Sequence, residues 1–237
     1  MAIIDIGFCG HLLAYQWDLL DDIINMKGSD FMTTVYLIRH SKSLKVNNDL
    51  NNDDLQIQNE KSCLSVEGED IARERLSKIE FDNIDILFSS NYVRAIQTAK
   101  YLSIKNNIEI NVISDLGERK FGISSWNELP ENFERKQFID ENYKIGNGES
   151  QKEVTNRMYN VIMKIINSNK DKKIAIVSHA TAITYLLKKW CDIKIVDDKF
   201  RYSYNNKVLL DGYFDYCETF KLELDDDNKV IDIKNIK

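Results

Sequence analysis

Two of the chain's three histidines close short apolar runs. His40 follows Thr33-Thr34-Val35-Tyr36-Leu37-Ile38, with Arg39 between, and His179 follows Ile174-Ala175-Ile176-Val177-Ser178. A further cation, Arg94, lies just past a similar run at residues 84–88. Short β-rich runs bounded by polar residues read as buried strands. In open α/β sheets, ligands sit beyond the carboxyl ends of the strands. Arg39, His40, Arg94 and His179 are therefore expected at one place. Guanidinium forks match phosphate oxygens bidentately, and a neutral imidazole nitrogen is a competent phosphoryl acceptor. A second imidazole can donate to the phosphoryl oxygens as charge develops. Each histidine taken alone also fits a satisfied polar group at a strand end; it is their joint occurrence that points to phosphate chemistry.

The elements that must position these groups follow from patterning. Residues 33–38, 84–88, 108–113 and 174–178 read as strands. Ser65 is a fitting N-cap for a helix carrying Glu67, Glu69 and Asp70 in its first turn, where the helix dipole favours acids. Leu64, Gly68, Ile71, Ala72, Leu76 and Ile79 mark its apolar stripe. A second helix spans residues 91–102. Val154, Met158, Val161, Ile162, Ile165 and Ile166 mark a long one, and Ile183, Leu186, Leu187, Trp190 and Cys191 another. Residues 41–59 read as a polar loop. Residues 116–148 read as irregular, with Phe121, Trp126, Phe133, Phe138 and Tyr143 scattered among charges. Those aromatics fit an apolar pocket wall or core packing. Residues 217–224 and 230–236 alternate like a C-terminal antiparallel pair. This order predicts an α/β protein, a three-layer α/β/α sandwich with a mainly parallel sheet.

Residues 1–31 stand apart as an N-terminal extension, with residues 32–237 as the domain. Leu13, Trp17, Leu20 and Ile24 predict one amphipathic helix over residues 11–26. Two readings of it stand: an upstream extension, or a docking or dimerisation helix.

The 237-residue chain has 32 basic and 38 acidic side chains, a net charge of −6, which argues against a nucleic-acid partner. It is 43% hydrophobic and 30% charged, as folded proteins are. The longest uncharged stretches, residues 6–17 and 174–187, fall short of the roughly 20 residues of a membrane span. No basic segment precedes Lys27, and the four cysteines include no C-x-x-C. A cytoplasmic location with reduced thiols and no membrane partner is expected.

Beyond this, the chain resembles the histidine phosphatase superfamily, the phosphoglycerate mutase-like proteins. Leu37-Ile38-Arg39-His40-Ser41-Lys42-Ser43 is similar to the family's Arg-His-Gly-x-Thr signature. Leu64-Ser65-x-Glu67-Gly68, Ser89-Ser90-x-x-x-Arg94-Ala95-x-Gln97-Thr98-Ala99, Leu116-Gly117-Glu118-Arg119-Lys120-Phe121-Gly122, Gly148-Glu149-Ser150 with Arg157, and Val177-Ser178-His179 follow in the family's order. The run covers residues 33–187. The resemblance implies His40 as nucleophile, with Arg39, Arg94 and His179 binding the phosphoryl group. It implies Glu118 as proton donor to the leaving oxygen, Ser43 and Arg119 as substrate-binding candidates, a small phosphorylated substrate, no metal and no cofactor. The competing reading of Glu118 is a solvated loop acid, against which its place between Leu116 and Phe121-Gly122 favours catalysis.

The chain departs from the pattern at Ser41 and Ala180, where Gly is usual, at Ser43 for Thr, and at Val46 for Asn. The implied activity is a phosphomonoester hydrolase working through a covalent phosphohistidine. A cofactor-dependent phosphoglycerate mutase is the alternative, weakened by the short, sparsely basic segment from Gly122 to Gly148 and kept open by Arg119, which resembles a substrate-binding arginine of the mutases. A silent phosphate-binding module is a further reading, supported by Ser41 and the extension. No G-x-G-x-x-G follows the first run, so a nucleotide-binding Rossmann domain is excluded. The leaving group and the oligomeric state are not legible.

Overall fold

The computed structural model describes residues 32–45, 54–197 and 199–236; the helix expected over residues 11–26 and the Val46 position lie outside them. The strands are β1 (Thr33–Arg39), β2 (Ile86–Ser89), β3 (Ile110–Val112), β4 (Lys173–Ser178), β5 (Asp192–Val196), β6 (Lys199–Tyr204), β7 (Lys207–Gly212), β8 (Thr219–Leu224) and β9 (Val230–Ile236). The helices are α1 (Leu55–Lys61), α2 (Val66–Leu76), α3 (Val93–Asn106), α4 (Phe133–Ile139), α5 (Gln151–Asn167) and α6 (Ala180–Leu187).

The main sheet runs β3-β2-β4-β1-β8-β9. Its β1, β2, β3 and β4 are mutually parallel, and β8 is antiparallel to both β1 and β9. Alternation splits each central strand between two cores. Val35, Leu37, Ile174 and Ile176 face α5 and α6 through Met158, Ile162, Ile183 and Leu186. Tyr36, Ile38, Ala175 and Val177 face α2 and α3 through Leu76, Ala95, Ala99 and Leu102. This is the expected three-layer sandwich with a mainly parallel sheet, and the C-terminal pair is β8 and β9.

Helix starts follow local chemistry. Ser65 caps α2 by accepting from the Gly68 N–H at 3.0 Å. Ser150 and Glu153 form a reciprocal capping box on α5.

Several elements differ from the sequence reading. Part of the expected loop at 41–59 is α1. It buries only Leu55, so no periodic stripe betrayed it. The segment 116–148 contains α4, whose buried Phe133, Gln137 and Phe138 are too few to set a period. Helix α6 starts at Ala180, directly after His179, and Trp190 and Cys191 lie past its end. Ile79 is 85% exposed in a 3₁₀ turn after α2 and leaves the stripe. Strands β5, β6 and β7 form a separate antiparallel sheet that the sequence reading left unassigned. No helix among the described residues is long and apolar enough to cross a membrane.

Candidate active site

Because β1 and β4 are parallel neighbours in register, Arg39 opposite Ser178, their carboxyl ends finish side by side. The His40 N–H donates to the Ser178 carbonyl at 2.9 Å. The next residue of each strand is a histidine, and the two rings stand with centroids 5.0 Å apart. Strand β2 ends beside them, so the first turn of α3 delivers Arg94 to the same point.

Arg94 is buried and bridges both rings. Its Nε donates to His40 Nε2 at 3.0 Å, its Nη2 to His179 Nδ1 at 3.3 Å, and its Nη1 to the Asn59 carbonyl of α1 at 2.5 Å. A guanidinium can only donate, which sets both tautomers. His40 carries its proton on Nδ1, which donates to the Ser41 carbonyl at 2.6 Å. His40 Nε2 therefore presents a lone pair. His179 carries its proton on Nε2, which donates to Ser90 Oγ at 2.8 Å. Burial, then Arg94, hold the His40 pKa well below the ordinary value of 6.5. Burial, then His40 and Arg94, do the same for His179. Both rings are neutral at neutral pH.

The turn that follows His40 is tightly tied. The Ser41 N–H donates to Thr98 Oγ1 at 2.9 Å, and Thr98 Oγ1 donates to the Arg94 carbonyl at 2.8 Å. Ser41 Oγ donates to the Gly68 carbonyl at 2.7 Å, so the hydroxyl that replaces the family's glycine joins this turn to α2. Gly68 is required there, since a Cβ would lie 2.0 Å from the Lys42 carbonyl oxygen.

Glu118 sits at the N-terminus of α6, beside His179. Its carboxylate accepts from the N–H groups of Arg119 at 2.9 Å, Ala182 at 3.1 Å and Thr181 at 3.4 Å. It supplies the side-chain cap that His179, the N-cap residue, does not. The loop bearing Glu118 is anchored by Glu149. That carboxylate forks onto Arg157 at 2.8 and 2.9 Å and accepts from the Lys120 N–H at 3.0 Å. Arg157 Nη1 also donates to the Asp115 carbonyl at 2.7 Å. The Gly-Glu-Ser…Arg motif thus holds the acid loop. Gly148 lets it close, since a Cβ there would meet the Phe121 carbonyl oxygen at 2.5 Å.

Arg39 donates to the Phe214 carbonyl and stacks over the Tyr216 ring at 4.5 Å. Its buried Nε has no acceptor among the described residues. Ser43 lines a cavity of about 410 Å³ with Asn59, Lys45 and Trp126. Arg119 is 1% exposed, between the rings of Phe121 and Phe133. Its Nη1 donates to Gln137 at 2.6 Å and Tyr185 at 3.3 Å, and its Nη2 pairs with Glu134 at 2.6 Å. Of the scattered aromatics, Phe133 and Phe138 are buried, while Trp126 is half exposed and edges onto Phe121.

Sequence reasoning gave no role to Ser90, Tyr92 or Asn59. Ser90 had a signal, its place just past β2. Tyr92 packs against His179 at 4.4 Å and under Arg94 at 4.7 Å, and burial pushes its phenol up to about 12. Asn59 acts through its backbone, which leaves no side-chain signature.

An α/β/α sandwich with paired histidines and arginines beyond the carboxyl edge of its sheet defines a class, and the family comparison agrees. Residues 35–222 match the model of the histidine phosphatase superfamily (branch 1), and the chain belongs to that superfamily. The uncharacterized phosphatase PhoE of Bacillus subtilis (strain 168) is 30% identical over 163 residues, 66% of this chain and 76% of that protein. A mycobacterial glucosyl-3-phosphoglycerate phosphatase has a similar fold, with a TM-score of 0.63 and 16% identity, covering 86% of this chain and 97% of its own. YhfR of Bacillus stearothermophilus is also similar in fold, with a TM-score of 0.61 and 20% identity, covering 84% of this chain and 94% of its own.

Proposed function

We propose that the chain is a phosphomonoester hydrolase that passes the phosphoryl group of a small phosphorylated metabolite to His40 and then to water. The observation that carries this reading is the Nε2 lone pair of a neutral His40, its proton held on Nδ1 by the Ser41 carbonyl, beside Arg94 and His179. Nε2 attacks phosphorus and the ester P–O bond breaks. The Glu118 carboxyl gives its proton to the departing oxygen, which leaves as the alcohol. Glu118, now a carboxylate, takes a proton from the water that attacks the phosphohistidine, and inorganic phosphate is released. Arg94 turns its donors from the imidazoles to the phosphoryl oxygens, and the unpartnered Nε of Arg39 supplies another. These cations do the charge work, so the reaction needs no metal.

Arg119 supports hydrolysis over mutase chemistry, because Gln137, Tyr185 and Glu134 already engage both its terminal nitrogens. A cytoplasmic location accords with the free thiols of Cys63, Cys191 and Cys217.

The test is a base quench of enzyme turning over radiolabelled phosphomonoester. Protein-bound label that is stable to base, labile to acid and lost in His40→Ala is expected. Label that survives acid, or persists in His40→Ala, refutes the assignment. Interconversion of phosphoglycerates primed by 2,3-bisphosphoglycerate, faster than phosphate release, would make the chain a mutase.

A further inference from the structure

A cavity of about 280 Å³ lies between α4, α6 and the sheet of β5, β6 and β7. Six aromatic side chains line it, among them Phe138, Phe200, Tyr202 and Phe214. It adjoins the reacting groups. Arg39, Ala180 and Thr181 form part of its wall, and the Thr181 N–H donates to Glu118. Glu118 and the cavity thus meet at Thr181.

Several polar groups of the wall are already used. Tyr185 Oη donates to Gln137 at 3.0 Å. Thr184 Oγ1 donates to the Ala180 carbonyl at 2.7 Å and pairs with Tyr202 Oη at 2.7 Å. Arg119 and Glu134 pair with each other. A polyol or sugar set against the aromatic rings loses its water there, which is costly. An apolar body loses nothing of the kind. Arg39 and Arg119 each keep a buried Nε–H with no acceptor among the described residues. The phosphoryl group satisfies the first.

We propose that the aromatic cavity receives the leaving group, and that the substrate is the phosphomonoester of a compact alcohol with an aryl or similarly apolar body. The volume is near the lower end of small-molecule sites, about 300 Å³, which keeps that body to about one ring with a short tether. This inference rests on the phosphatase reading.

The experiment compares kcat/KM for 2-phenylethyl phosphate and glycerol 3-phosphate, whose alcohols are similarly basic. Burial of the ring should favour the first by about 10- to 100-fold. Tyr213→Asp, at a lining residue that is 73% exposed and so carries little of the fold, should erase most of this ratio, as should Phe200→Ala. Trp126→Ala should leave the ratio in place. Turnover of both esters with less than about a 2-fold preference overturns the cavity assignment and leaves the phosphatase reading standing. So does a preference that Trp126→Ala erases and Tyr213→Asp spares, which puts the leaving group in the cavity beside Ser43. No turnover of any phosphomonoester and no acid-labile label overturns the phosphatase reading itself.

Discussion

Glu118 caps α6 and is the proposed proton donor, and Glu118→Gln and Glu118→Ala pull the two tasks apart. As a cap it accepts from the N–H groups of Arg119, Thr181 and Ala182, the last two in the first turn of α6. The glutamine amide keeps one acceptor oxygen, so Glu118→Gln should retain most of the capping. Glu118→Ala removes it, at a cost of about 1 kcal/mol, or about 2–4 °C in Tm for a chain of this size. As a proton donor Glu118 is lost in both variants. General acid catalysis contributes about 10²–10⁴-fold where the leaving group needs it. An alkoxide needs it, whereas p-nitrophenolate departs almost unaided. Single-turnover phosphorylation, measured by rapid quench, should therefore fall by about 10²–10⁴-fold with an alkyl phosphate and little with p-nitrophenyl phosphate. Glu118→Gln should show this split at nearly wild-type Tm. Steady-state kcat can fall for both substrates, because the proposed mechanism also uses Glu118 as base in the hydrolysis of the phosphohistidine. Equal phosphorylation losses for both substrates refute the proton-donor role and leave Glu118 as the cap that holds α6, and with it His179.

Arg94→Ala should slow turnover by at least about 10- to 150-fold, since it removes charge-assisted contacts to phosphate. Arg94→Lys should recover part of this, as one ammonium cannot bridge His40, His179 and the Asn59 carbonyl together; near-wild-type kcat/KM in Arg94→Ala would remove the residue from the site. His40 and His179 both have folded pKa values depressed below 6.5, so the folded state binds fewer protons than the unfolded one. Stability is then complete above about pH 6.5 and falls as the pH drops toward the folded values, by about 1.4 kcal/mol per pH unit per group. Denaturant titrations at pH 7.5 and 5.5 should show this loss, reduced in His179→Gln; an unchanged loss would place the acid sensitivity elsewhere. Activity should survive EDTA and be inhibited by vanadate, and loss on chelation restored by a divalent ion would contradict the cation-only mechanism. Deleting residues 1–31 should leave a soluble, active domain, because β1 begins at Thr33; an insoluble product would assign those residues a packing role.

Much of the fold and of the candidate site was legible because local chemistry encodes it. β1 and β4 are continuous apolar runs that stop at a charged or titratable residue, and a strand buried on both faces leaves that signature. Their parallel pairing makes the residues just past them neighbours, so Arg39, His40 and His179 were readable as a group. Ser65 and the stripe of α5 were equally plain, because caps and 3.6-residue periods are local. Helices α1 and α4 were not, since one or three buried side chains set no period. Tertiary structure alone decided the protonation pattern: Arg94 reaches His40 and His179 from 54 and 85 residues away, and its donors fix which nitrogen of each ring is free. It also decided that Glu118 caps α6 across 64 residues, and that Arg119 is buried among Gln137, Tyr185 and Glu134. Hydrogen bonds of that span depend on how whole elements pack, and a sequence records the donors without recording where packing will aim them.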